Sequence, residues 1–406
     1  MQLTKNTPPV FVAGVGVVSA IGNNAAECLS SLENYKAGMG AITHLETLHN
    51  EQLPVAEVKL SNKDLEDITR MDSGTSRTAL LSMMAAKEAL LDAGIDNISS
   101  LRTGFVSANT VGGMDKTEQF YADFLSDNKK GKLRDVINHE CGKVTDLVAD
   151  ALGINSYIST ISTACSSSAN AIFFAARLIK HGMLDVAIAG GADALTKFTL
   201  NGFNALMILD KEYCKPFDDK RQGLNLGEGA GYVVLVSARV AMSLKKNLYC
   251  ELTGYCNKND AYHQTASSPD GTGPYLAMKG ALALSGLQPS DVDYINLHGT
   301  ATQNNDFTEG TAIKRLFDPK YPPMSSTKSF TGHTLGASGG IEAVFSIFSI
   351  IRGIIYPTLR LQTPMHEFTF SAESFFSVKE DIRNVLSNSF GFGGNCTSLV
   401  FSKITG

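Results

Sequence analysis

A chain of 406 residues exceeds one ordinary hydrophobic core, and 43% hydrophobic with 18% charged residues suits a well-buried globular protein, so two similar-sized halves in contact are expected. The net charge of -5 excludes a global basic field that would gather nucleic acid. The seven cysteines (Cys28, Cys141, Cys165, Cys214, Cys250, Cys256 and Cys396) are scattered, odd in number and never in a CxxC pair, which fits reduced thiols in a cytoplasmic chain and argues against a zinc site. The opening "MQLTKNTPPVFVAGVGVVSAIG" lacks an apolar core before its two prolines and is not read as a signal peptide. No uncharged apolar run long enough for a membrane span is seen, so no membrane span is expected.

In chain order, "VFVAGVGVVSAIG" is a buried strand ending in a glycine turn. "GNNAAECLSSLENYKAG" starts a helix behind an Asn cap. "SRTALLSMMAAKEALLDAGI" is a periodic helix that stops at Gly94, and "TGFVSAN" is a short buried strand. "DNKKGKLRD" is basic and polar, either a solvated loop or a docking patch for an acidic partner. A helix follows Cys165 to about Lys180, and then "LDVAIAGGADAL" is a strand. "GEGAGYVVLVS" and "LYCELTGYCN" read as neighbouring strands, with a boundary between halves near residue 245, giving segments 1–245 and 246–406. The second half repeats the order: helix "YLAMKGALALSGL", strand "VDYINLHGT", helix "NDFTEGTAIKRLF", helix "LGASGGIEAVFSIFSIIRG", and two strands in "VLSNSFGFGGNCTSLVFSK". Alternating strands and helices in both halves predict an α/β layered fold with buried, mostly parallel strands.

"STACSSSAN" places Cys165 among small residues just before the apolar run "AIFFAARLI". A helix start favours a thiolate, and small neighbours leave room for a substrate, although such a cysteine alone is more often structural. His298 and His333 stand where strands give way to glycine-rich turns, "HGTAT" and "GHTLGASGG", a common place for site residues in α/β folds. In "NSFGFGGN", glycines around Phe390 and Phe392 suit either a tight hairpin or a backbone N–H donor to an oxyanion beside an aromatic ring.

"TACSSS", "GEGAG", "HGTAT", "TKSFTGHTLGASGGIEA" and "NSFGFGG" occur in this order. Together, from about Val10 to Ser402, they resemble the β-ketoacyl-acyl-carrier-protein synthases, most closely the synthase II type of condensing enzyme. The resemblance implies a thiolase fold, a duplicated five-layered αβαβα architecture, usually dimeric. It implies an acyltransferase that joins an acyl group on Cys165 to a malonyl thioester with loss of carbon dioxide. It implies no cofactor and no metal. By the same resemblance His298 and His333 are the catalytic histidines, with Lys328 and Glu342 supporting them. Phe392 is the gate and, with Cys165, an oxyanion donor. Thr300 and Thr302 contact the substrate arm, and Val111, Phe203 and Phe390 line the acyl site. An acidic acyl carrier protein is the implied partner, with Lys63, Arg70, Lys129, Lys130 and Arg134 as candidate docking residues.

The sequence departs from the family pattern at Lys215 (usually Arg), Gln222 (Asp), Asn225 (aliphatic), Gln303 (Pro) and Cys396 (Asn). Asn225, if packed near the site, would add polarity and suggest a specialised branch such as polyene or other polyketide-like lipid assembly. The competing expectation is a non-catalytic chain-length-factor-like subunit of a heterodimer; such partners lack the cysteine that is present here. A thiolase would use a second cysteine near the C-terminus, and Cys396, following "GFGG", does not fit that role.

Overall fold

The computed structural model describes residues 8–95, 97–379 and 381–404, so the first seven residues of the opening segment lie outside it. Ten strands form one mixed sheet. In the first half these are β1 (Val10–Ser19), β2 (Thr103–Ala108), β3 (Tyr157–Ile161), β4 (Val186–Asp193) and β5 (Gly229–Ser237). The second half supplies β6 (Cys250–Asn259), β7 (Tyr294–Asn296), β8 (Met324–Ser325), β9 (Asn384–Gly391) and β10 (Asn395–Ser402). Spatial order is β3-β2-β4-β5-β1 in the first half and, running outward from β6, β6-β10-β9-β7-β8 in the second. The halves therefore share one strand order, related by a pseudo-two-fold between β1 and β6.

Two expectations need correction. The sheet is not mostly parallel: β2–β3, β2–β4, β7–β8 and β7–β9 run parallel, whereas β1–β5, β4–β5, β1–β6, β6–β10 and β9–β10 run antiparallel. Strands covered on both faces read as continuous apolar runs whatever their direction, so composition does not reveal it. Nor are β5 and β6 neighbours, because β1 lies between them.

Among the helices that build the layers are α1 (Arg77–Ala93), α2 (Ser167–Lys180), α3 (Thr272–Ser285) and α4 (Ser338–Arg352). α1 is N-capped by Ser76 and ends where Gly94 takes the left-handed conformation. α2 and α4 lie together between the two half-sheets, in a core that draws Val106, Ala169, Ile172 and Val233 from the first half and Phe345, Ile347, Val385 and Leu399 from the second. α1 covers the outer face of the first half-sheet, against Phe105, Ile188 and Val234. α3 and the helix Gln303–Phe317 cover the outer face of the second, against Ile295, Leu386 and Val400. Strand alternation divides one strand between two layers: Val233 and Leu235 of β5 face the centre, Tyr232 and Val234 the outside. The segment Leu335–Arg352 is long and apolar enough to cross a membrane by length and composition, but it is the buried central helix with its entry turn.

The motifs "GEGAG" and "GASGG" meet here. A Cβ on Gly231 would lie 2.3 Å from the backbone N of Ile341 and 2.4 Å from the carbonyl carbon of Gly340. Only bare backbone lets α4 approach β5 this closely. Gly231→Ala is therefore expected to lower stability by about 3 kcal/mol, whereas Gly202→Ala, with open space around it, stays within about 1 kcal/mol of the parent. Chemical denaturation of the two variants checks this.

Candidate active site

Three turns bring the chemistry together, and each contains a non-glycine residue with positive φ: Ala164 (53°) before Cys165, Ala301 (69°) after His298 and Leu335 (51°) after His333. Such backbone costs on the order of 1–3 kcal/mol per residue and persists only where packing over-determines it. Cys165 precedes α2 by two residues, His298 follows β7, and His333 precedes α4. One donor atom from each of the three lies within 4.8 Å of the others, and all three residues are buried.

Hydrogen bonds settle the protonation of both histidines. The Lys328 ammonium can only donate, and its Nζ lies 3.3 Å from His298 Nδ1. The backbone N–H of Leu335 donates to His333 Nδ1 at 3.1 Å, and Ser338 Oγ lies 3.2 Å from the same atom. Each Nδ1 is thus an acceptor, which leaves each neutral ring its proton on Nε2. Burial, joined by the positive charge of Lys328, holds both histidines well below the usual imidazole range. The rings stand edge to face, 5.4 Å apart. Cys and two His could also be taken for metal ligands, but an ammonium bonded to one of those imidazoles opposes a cation there.

Lys328 is paired with Glu342 of α4 inside the core. Burial raises the Glu342 carboxyl and Lys328 opposes the rise. The Cys165 thiol is pushed up to about 11 by burial, against the pull of Lys328 and of the Phe392 and Cys165 backbone N–H groups. The helix start alone does not make a thiolate here, because desolvation outweighs it.

The "NSFGFGG" segment is a β9–β10 hairpin that also presents Phe392. A Cβ on Gly391 would lie 2.9 Å from Thr163 O and 3.1 Å from Cys165 N, so glycine lets the hairpin lie against the nucleophile turn. Asn395 fastens the two: its Oδ1 accepts from Ser166 Oγ (2.8 Å), Asn170 Nδ2 (2.9 Å) and Asn257 Nδ2 (2.6 Å).

Cys165, His298 and His333 open on a cavity of about 300 Å³ with Thr300, Thr302, Phe203, Phe390 and Phe392 in its wall. Phe392 stacks on Phe203 at 5.9 Å, and Phe390 lies 5.8 Å from His298. Thr300 and Thr302 hydroxyls are 3.0 Å apart. No charged side chain lines this cavity among the described residues; Gln222, Gln303, Asn304 and Asn305 supply its polarity. Leu206 and Met207 border it, and Met207 is 88% exposed. Val111 lies outside the lining, in an apolar cluster with Leu195, Leu200 and Leu335 that Phe203 also touches. Lys63, Arg70, Lys129, Lys130 and Arg134 are all exposed, and none lines the cavity.

Asn225 does not add polarity to the site. Its Oδ1 accepts from Cys214 N (2.7 Å) and its Nδ2 donates to Asp210 O (3.1 Å) and Glu212 O (2.9 Å), so the amide is satisfied within its own loop. Its carbonyl accepts the backbone N–H of His333 at 2.8 Å. The expected link from Asn225 to a specialised substrate therefore falls away, while Gln222 and Gln303 do reach the cavity.

Sequence reasoning missed Glu309, Asp193 and Asn395. Glu309, buried and raised to about 7 by desolvation, accepts from the backbone N–H groups of His298 (2.9 Å) and Gly299 (2.8 Å) and from Asn388 Nδ2 (3.1 Å). None of the three stands out from its sequence neighbours, because the partners that make each important lie far away along the chain.

The family described as "Beta-ketoacyl synthase, N-terminal domain" matches residues 7–241, and "Beta-ketoacyl synthase, C-terminal domain" matches residues 249–362. The 3-oxoacyl-(acyl-carrier-protein) synthase 2 of Staphylococcus aureus is 34% identical, covering 97% of this chain and 98% of its own. Among solved structures, the ishigamide ketosynthase/chain length factor matches with a TM-score of 0.93 and 26% identity over 98% of this chain and 100% of its own. A type II polyketide ketosynthase solved with its acyl-carrier protein matches with a TM-score of 0.89, at 26% identity over the same shares.

With a thiol near 11, alkylation of Cys165 by iodoacetamide should rise about tenfold per pH unit between pH 7 and 10. Lys328→Met removes the nearest positive charge, so alkylation at fixed pH should slow. Intact mass against time reads both.

Proposed function

The chain belongs to the β-ketoacyl synthase family, and from that premise we propose that it condenses an acyl group, held as a thioester on Cys165, with a malonyl thioester of an acyl carrier protein. The products are the 3-oxoacyl thioester and carbon dioxide. The observation that carries this reading is the convergence of Cys165, His298 and His333, with both imidazoles held as Nε2–H donors over an uncharged cavity.

Cys165 Sγ attacks the acyl thioester carbonyl. The Cys165 and Phe392 backbone N–H groups, which lie against the sulfur, would stabilise the tetrahedral oxyanion. Collapse expels the carrier's thiol, which leaves with the cysteine proton. In the malonyl thioester the bond to the carboxylate then breaks. Carbon dioxide departs and the electron pair becomes an enolate, whose oxygen takes hydrogen bonds from His298 and His333. The enolate carbon attacks the acyl-Cys165 carbonyl and releases Cys165, which is reprotonated. Neutral donors suit this step, because imidazolium would protonate the enolate that has to act as the nucleophile.

Thr300 and Thr302 would bind the arm of the carrier, Phe203 with Phe392 would gate the acyl group, and Val111 would act from behind Phe203. Docking of an acidic carrier by Lys63, Arg70, Lys129, Lys130 and Arg134 belongs to the same proposal. The chain would work as a homodimer or beside a chain-length-factor-like subunit, a pairing supported by the solved relatives named for such assemblies. A purely non-catalytic subunit is disfavoured by the assembled triad. We infer a boundary between halves near residue 245, between β5 and β6, and work in the cytoplasm, in fatty acid or polyketide-type lipid biosynthesis, supported by the unpaired state of all seven cysteines.

Incubation with an acyl-loaded carrier protein should add one acyl group to the native chain and none to Cys165→Ala, by intact mass. His298→Ala and His333→Ala should keep this half-reaction but lose about 100- to 1,000-fold in release of carbon dioxide from malonyl carrier protein. Absence of an adduct with every acyl donor would refute the reading.

A further inference from the structure

Each half holds the turn after its second strand with a buried carboxylate, Glu309 from the helix Gln303–Phe317 in one and Asp193 from the end of β4 in the other. Glu309 accepts from His298 and Gly299, the second and third residues after β7. Asp193, at the end of β4, accepts from the backbone N–H groups of Thr110 (2.8 Å) and Val111 (3.0 Å), the second and third residues after β2. Under the shared strand order the loop carrying His298 corresponds to the loop carrying Thr110. Asp193 reaches further than Glu309 does. Its Oδ2 also accepts from Thr110 Oγ1 and from the backbone N–H of Gly336, both at 2.7 Å. Gly336 is the neighbour of Leu335, whose N–H sets the His333 tautomer.

Asp193 is fully buried and all its hydrogen-bond partners are neutral. Every hydrogen-bond partner of its oxygens is a donor, as a carboxylate requires, and burial lifts the carboxyl to about 6 against their pull.

We propose that Asp193 is a positioning residue for the condensation step, fastening the His333 turn to the Thr110–Val111 segment. This inference rests on the function proposed above.

Three variants separate geometry from charge. In Asp193→Asn, whichever way the amide turns, its NH₂ faces a backbone N–H. Asp193→Glu keeps the charge and moves it. Thr110→Val keeps the carboxylate and removes one donor. Acylation of Cys165 should survive in all three, whereas kcat for condensation should fall about tenfold or more in Asp193→Asn and less in the other two. A folded Asp193→Asn with native kcat for condensation overturns the proposal. Should that variant not fold, native kcat in both Asp193→Glu and Thr110→Val overturns the positioning role. If the native chain itself forms no acyl adduct, the proposed function has failed, a result distinct from native kcat in the variants.

Discussion

One buried ammonium, Lys328 Nζ, sets the state of the whole site. It donates to His298 Nδ1, depresses both imidazoles and pulls the Cys165 thiol down. A lone ammonium in this core would cost several kcal/mol, so its presence depends on the Glu342 carboxylate. Glu342 in turn rides on α4, and α4 reaches its place because Gly231 and Gly340 let helix and strand backbones touch. The two glycine motifs, far apart in sequence, are thus the packing condition for one ion pair, and that ion pair is the condition for a His298 that donates from Nε2, as the Leu335 N–H is for His333.

Precision comes from fastening loops that would otherwise move. Each reactive side chain sits on a turn with an unfavourable φ, and each turn is held from outside: the Cys165 turn by the hairpin through Asn395, the His298 turn by Glu309, and the His333 turn by Asn225 and Asp193. On Asn395, Glu309 and Asp193 more than one donor converges on a single oxygen.

Much of this was visible in the sequence, for identifiable reasons. Helix ends at Ala25 and Gly94 follow local capping, and the strand-to-turn settings of His298 and His333 need only their neighbours. Strand direction and the insertion of β1 between β5 and β6 were not visible, because strands buried on both faces carry no direction in their composition. Asp193, Glu309 and Asn395 look ordinary in sequence; their importance comes from partners as far as 229 residues away. Asn225 was misjudged for the converse reason, since burial alone does not say which way an amide points.

The central helix pair has a consequence for how the molecule comes apart. α2 belongs to the first half and α4 to the second, yet they share one apolar layer with strands from both. The duplicated units share this buried layer and are joined through the β1–β6 pairing. The chain should denature as one cooperative body, and the nucleophile of one half has no existence as a separate foldable module from the histidines of the other.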